Sequence, residues 1–163
     1  MAVANNVAYT LQYLQFLEKI IADLDLTPVL VTQTLKTFVI NGCAVVEAVF
    51  YKIVNDSGTP KKRFTFDGMY KKIQRENLIA ADSDFHSDLT YLRQLRNRVH
   101  IFDRKSRADT DYLKIDFSDF ESMKRILRHL LIGRIFPPKA ERLDFTFLDE
   151  HSMVDALMGL INR

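Results

Sequence analysis

Residues 83–102 read SDFHSDLTYLRQLRNRVHIF, and the apolar positions Phe85, Leu89, Leu92, Leu95, Val99 and Phe102 step by 4, 3, 3, 4 and 3. Steps of three and four place these side chains on one stripe of an α-helix, whereas a half-buried strand would alternate every second residue. Ser83 and Asp84 supply a cap and an acidic first turn. A helix with one apolar stripe is stable only when that stripe is covered, so the flanking sequence must provide packing partners.

Toward the N-terminus, residues 61–80 open with Lys61-Lys62-Arg63 and Phe64-Thr65-Phe66, then offer Met69, Tyr70 and Ile73 as a short helical insert in a connection. The turn formers Asn55 to Pro60 end a long helix that starts at Pro28 and carries Val31, Leu35, Phe38, Val39, Val46, Val49, Phe50 and Ile53. Thr27 is its expected N-cap, and Pro28 at the first helical position loses no hydrogen bond. Gly42 inside this helix costs about 1 kcal/mol relative to Ala, so a kink or a close helix contact is expected there. Tyr9, Tyr13, Phe16, Leu17, Ile20 and Ile21 predict a first helix over 7–23.

Toward the C-terminus, residues 103–112 are a polar loop, and Ser118 and Glu121 have capping-box spacing for a helix that ends near Gly133. Its buried face is Phe120, Met123, Ile126, Leu127, Leu130 and Leu131. Leu143, Phe145 and Phe147 alternate with polar residues as a short extended arm, and Met153, Leu157, Leu160 and Ile161 predict a last helix over 149–162. The expected fold class is all-α: one domain over 1–163, with a four-helix bundle over about 7–134 and an appendage over 135–163.

Composition agrees with one cytoplasmic domain. The 163 residues carry 23 Lys+Arg against 21 Asp+Glu, a net charge of +2, which argues against a protein that coats nucleic acid through bulk charge. Cys43 is the only cysteine, excluding a disulfide framework and a cysteine-based zinc site. The charge-free Met1 to Leu17 is interrupted by Asn5, Asn6, Thr10, Gln12 and Gln15, so it reads as neither signal peptide nor membrane span. His86, His129 and His151 lack metal-ligand spacing and read as surface or capping residues, while Asp82, Asp84 and Asp88 read as helix N-terminal charges. No metal or cofactor is expected.

Two polar groups intrude on apolar stripes. At about 100° per residue, Arg96 falls inside the arc of Phe85 and Leu89, with His100 and Arg93 at its border and Asn97 just beyond. On the long helix, Glu47 sits among Ile40, Cys43, Phe50 and Val54, where a carboxylate is costly unless paired. Arg96 is its expected partner. An internal ion pair that fixes helix register explains both residues without any function.

Leu92-Arg93-Gln94-Leu95-Arg96-Asn97-Arg98-Val99-His100-Ile101 resembles the signature of the HEPN superfamily, in which an Arg precedes a His by four to six residues on one bundle helix. Cys43-Ala44-Val45-Val46-Glu47 is similar to the Ser-x-x-x-Glu element of many members, with Cys in place of Ser. Arg93 leaves six residues before His100, whereas Arg96 leaves three and precedes the Asn that such motifs usually contain. The resemblance implies a metal-independent endoribonuclease, a homodimer in which two copies of this helix face one another, and an RNA substrate.

The chemistry so implied is attack of the RNA 2′-hydroxyl on the adjacent phosphate. His100 would move the proton, because imidazole titrates near neutral pH. Arg96 or Arg93 would stabilise phosphorane charge, and Glu47 and Asn97 would orient that arginine or the histidine. Arg98, Arg104, Lys105 and Arg107 would bind RNA, since residues 93–107 hold six basic side chains against Asp103. Residues 61–75 hold six basic side chains against Asp67, which reads equally as a second phosphate surface or as a solvated face. Phe64 and Phe66 read as core plugs rather than base-stacking groups. A toxin or phage-defence role would require a neutralising partner. The alternative is a non-catalytic helical interaction or nucleotide-binding module.

Overall fold

The computed structural model describes residues 2–58, 64–79, 83–98 and 115–132. They form α1 (Ala2–Asp23), α2 (Pro28–Asp56), α3 (Phe66–Arg75), α4 (Ser83–Arg98) and α5 (Phe117–Ile132), with no strand among the described residues. The described residues are all-α, as expected from their spacing. Val99 to Phe102, the 103–112 loop, the 143–147 arm and the 149–162 helix lie outside the described residues.

The hub is α2, which packs against each of the other four helices, while α4 also packs on α5. This follows from its composition: Leu35, Phe38, Val39, Val45, Val46, Val49, Phe50 and Val54 are all buried, more than one stripe's worth. By length and mean hydropathy α2 could cross a membrane, yet half of its most apolar window is covered by the other helices. Thr27 occupies the N-cap in an extended conformation, with its carbonyl accepting from Val31 N–H at 3.0 Å but no side-chain cap bond. Gly58, at φ +79°, follows the C-cap Ser57 and turns the chain out of the helix.

Gly42 is the point of closest helix approach. A Cβ there would lie 2.5 Å from Met123 Sδ and 2.6 Å from Met123 Cγ, so α2 and α5 pack together because Gly42 has no side chain. Four residues earlier, Phe38 meets Phe120 at 4.4 Å between ring centroids. The order of these contacts makes α2 and α5 parallel. One residue along α2, Cys43 Sγ lies 4.0 Å from Leu92 O, while Phe50 stacks on Tyr70, whose ring meets His86 near the start of α4. Therefore α4 runs antiparallel to α2.

The buried stripe of α1 is Val7, Leu11, Leu14, Leu17 and Ile21, while Tyr9, Tyr13 and Phe16 of the predicted helix point outward. One expectation is corrected. The capping box of α5 stands two residues earlier than Ser118 and Glu121. Asp116 Oδ1 accepts from Ser118 N–H at 2.8 Å and Asp119 N–H at 3.3 Å, and Asp119 Oδ2 accepts in return from Asp116 N–H at 3.1 Å. An Asp accepts these bonds as a carboxylate, which the helix dipole favours over a hydroxyl.

The short insert became a defined helix. Thr65 Oγ1 accepts from Gly68 N–H at 3.1 Å to start α3, and Asn77, at φ 48°, closes it with Leu78 N–H bonded to Ile73 O at 3.0 Å. Leu78 then packs against the core beside Phe64 and Phe66, which are core plugs as expected.

Candidate functional site

α4 carries the candidate motif along its C-terminal half. Phe85, Leu89, Leu92 and Leu95 are buried, so the expected stripe faces the core and holds the helix in a fixed rotation. Arg96, Asn97 and Arg98 fall in its last turn, with their side chains outside the described residues, as are His100, Arg104, Lys105 and Arg107. Among the candidate residues, Glu47 and Arg93 have described side chains.

Arg93 does not face Glu47. Its Nη1 donates to Asp67 Oδ1 in the first turn of α3, while Lys71 Nζ takes the other carboxylate oxygen at 2.8 Å. Hydrogen bonds from Lys71 and then Arg93 hold the Asp67 carboxyl below its ordinary range. The Arg93 Nε is buried with no hydrogen-bond partner, so this guanidinium is set against the protein rather than presented to solvent. Its place is explained by docking of α3 onto α4.

Glu47 is half-buried on α2, one turn past Cys43. Because α2 and α4 are antiparallel at Cys43 and Leu92, the backbone positions of Glu47 and Arg96 lie on opposite sides of that contact. Each is one helical turn away from it, an axial offset of about 12 Å.

Compared with known proteins, the chain matches no family model, no curated protein and no solved structure.

The second basic stretch is largely compensated where it is described. Lys71 pairs with Asp67, and Glu76 takes Lys72 at 2.5 Å and Arg75 at 2.9 Å. The solvated-face reading therefore accounts for Lys71, Lys72 and Arg75; Lys61, Lys62 and Arg63 lie outside the described residues.

His86 is half-buried: its Nδ1 lies 3.0 Å from Tyr70 Oη, and Gln74 Nε2 donates to that same hydroxyl at 2.9 Å. One minor reading is also corrected. Asp88 is not a helix-start charge; it bonds Arg125 at 2.7 Å and Ser122 at 3.3 Å, clasping α4 to α5. His129 is exposed in the last turn of α5, as a helix-terminal histidine should be, with its ring 4.7 Å from Phe85. Among the described residues, no three His, Cys, Asp or Glu side chains converge as a metal site would require.

One buried polar cluster escaped sequence reading. Lys124 is 2% exposed, with its Nζ 2.5 Å from Glu18 Oε1 and 5.2 Å from the Phe120 ring centroid. Nearby Glu121 has a buried Oε2 without a hydrogen-bond partner, and burial pushes its carboxyl above the ordinary range. The signal was available: Lys124 is four residues after Phe120 and three before Leu127, inside the apolar arc of α5 just as Arg96 is inside that of α4.

Proposed function

We propose that the protein is a HEPN-like helical bundle and a metal-independent endoribonuclease of toxin or phage-defence type, acting in the cytoplasm as a homodimer under a neutralising partner. The observation that carries this reading is the Arg96-Asn97…His100 sequence, which begins in the last turn of α4, a helix packed antiparallel on the one bearing Glu47. The Asp67 bond to Arg93 supports giving the phosphate role to Arg96. In this reading Glu47 orients Arg96 across the Cys43–Leu92 contact.

In this mechanism neutral His100 accepts the 2′-hydroxyl proton as the 2′-oxygen bonds to phosphorus. The phosphorane forms with its equatorial charge against Arg96, and the bond to the 5′-oxygen breaks as an imidazolium returns a proton to it. The products are a 2′,3′-cyclic phosphate and a 5′-hydroxyl. Asn97 orients His100 or the phosphate, and Arg98, Arg104, Lys105 and Arg107 hold the strand by its backbone.

The test is purified protein with structured RNA and a metal chelator. Fragments ending in 2′,3′-cyclic phosphate are expected, and cleavage that depends on added magnesium or leaves 3′-hydroxyl ends would contradict the mechanism. The second reading, a non-catalytic interaction module, is favoured by the pairing of Arg93, Lys71, Lys72 and Arg75 with acids inside the chain, and it predicts no cleavage.

A further inference from the structure

The outward face of α1 carries an apolar stripe that no described residue covers. Tyr9, Tyr13 and Phe16 are 70%, 43% and 57% exposed and step by 4 and 3; half-buried Ile20 and exposed Leu24 continue them by two further steps of 4. Leu24 keeps the helical register, since its N–H donates to Ile20 O at 3.2 Å. Tyr13 and Phe16 stack on each other at 6.4 Å. Isolated exposed apolar residues are ordinary, but a continuous stripe along a whole helix is not.

A matching stripe lies in the sequence outside the described residues. Met153, Leu157 and Leu160 step by 4 and 3, as Tyr9, Tyr13 and Phe16 do. Asp155 is the sole charged residue between Ser152 and Asn162, and it falls about 160° from Met153 on a helical wheel, on the opposite face.

We propose that residues 149–162 dock as a helix along the outward stripe of α1 in the same chain. The starting point fits. Glu18 of α1 meets Lys124 of α5 at 2.5 Å. The two helices are antiparallel, because α1 turns back into α2 through four residues and α5 runs parallel to α2. Ile132, eight residues after Lys124, therefore lies level with about Thr10, eight before Glu18. Residues 133–163 start at that level, beside the N-terminal half of α1.

The lengths fit too. The stripe faces about 170° away from Glu18, so the chain must pass half-way round α1, a path of about 20 Å. The sixteen residues 133–148 span up to about 50 Å. A helix over 149–162 is about 21 Å long, and Tyr9 to Leu24 covers about 22 Å. Charge favours this occupant over a lipid surface, which calls for basic residues. Residues 149–162 hold Asp149, Glu150 and Asp155 and no Lys or Arg, and α1 has no charged side chain before Glu18, which is turned inward onto Lys124. The contact leaves α4 free for the homodimer, and it does not depend on ribonuclease activity.

The experiment is hydrogen–deuterium exchange of residues 149–162 in the full chain over a concentration series, with hydroxyl-radical footprinting of Tyr9 and Tyr13. The variants are Tyr13→Glu/Phe16→Glu on α1, Leu157→Glu/Leu160→Glu on the tail and, as a control, Tyr51→Glu on the exposed side of α2. Wild type and the Tyr51 variant are expected to protect the 149–162 amides at least about 100-fold at every concentration. The α1 variant should lower that protection below about tenfold while the α2 amides keep theirs. In the tail variant Tyr9 and Tyr13 should react faster with the radical than in wild type. The tail variant leaves α1 and its core contacts intact, so it decides the case if the α1 variant unfolds. Unprotected 149–162 amides in wild type overturn the proposal, as does protection that survives the α1 substitutions or is lost equally with Tyr51→Glu. Protection that rises with concentration overturns it in favour of a second copy. Equal reactivity of Tyr9 and Tyr13 in wild type and the tail variant also overturns it, leaving the stripe bare or covered by another molecule.

Discussion

Arg93 of α4 is bonded to Asp67 of α3, so one of the two arginines that could serve a phosphate is already engaged by a carboxylate of the same chain. Asp67→Asn and Arg93→Ala are therefore expected to change RNA cleavage by less than about threefold, whereas Arg96→Ala should lower it about 100-fold or more, the usual effect of losing a donor to transition-state charge. Single-turnover cleavage rates check this. Equal losses for Arg93→Ala and Arg96→Ala would move the phosphate role back onto both.

The same pair has a pH signature. The folded-state value of Asp67 is lowered, so its ion pairs stabilise the fold above the ordinary Asp range and are lost as pH falls through the lowered value. The Tm deficit of Asp67→Asn should be present at neutral pH and vanish in strong acid, which thermal melts across pH will read.

Glu121 has the opposite sign. Its folded-state value is raised by burial, with Glu18 adding to the rise while Lys124 and Arg125 oppose it. Below the unfolded Glu range this costs nothing; as pH rises toward the folded value the unfolded chain ionises first and stability falls. Glu121→Gln should therefore raise Tm at neutral pH and leave it nearly unchanged in acid.

Gly42→Ala should destabilise the protein by about 1–3 kcal/mol through overpacking against Met123, reversing the gain of about 1 kcal/mol that helix propensity alone assigns to Ala. Met123→Ala in the same chain should relieve part of that strain. Denaturant melts of the two single variants and the double variant give the coupling directly.

Lys124→Met leaves Glu18 without its buried partner and should cost about 3 kcal/mol. Adding Glu18→Leu should recover most of the loss, because two apolar groups replace the pair. Chemical denaturation of both variants measures it.

The helices were legible because their apolar residues repeat every three or four positions; Phe85, Leu89, Leu92 and Leu95 on α4 and the six apolar residues predicted for α5 are buried. Periodicity cannot decide which of two apolar stripes is covered, and on α1 Tyr9, Tyr13 and Phe16 lie on the uncovered one. Nor could it separate the overlapping boxes Asp116–Asp119 and Ser118–Glu121, since both have the right spacing. At the candidate site, Glu47 was legible as a polar intrusion on an apolar face and is half-buried on α2. The Arg93–Asp67 bond was not, because it depends on how α3 docks onto α4, a long-range outcome that neither segment encodes locally.

The central claim is that His100 moves the proton in a metal-independent RNA cleavage. It is tested most directly by the single-turnover rate of wild type against His100→Ala on the same RNA in chelator. A loss of about 100- to 10,000-fold in the variant is the predicted result; equal rates for the two proteins, or no cleavage by either, would contradict it.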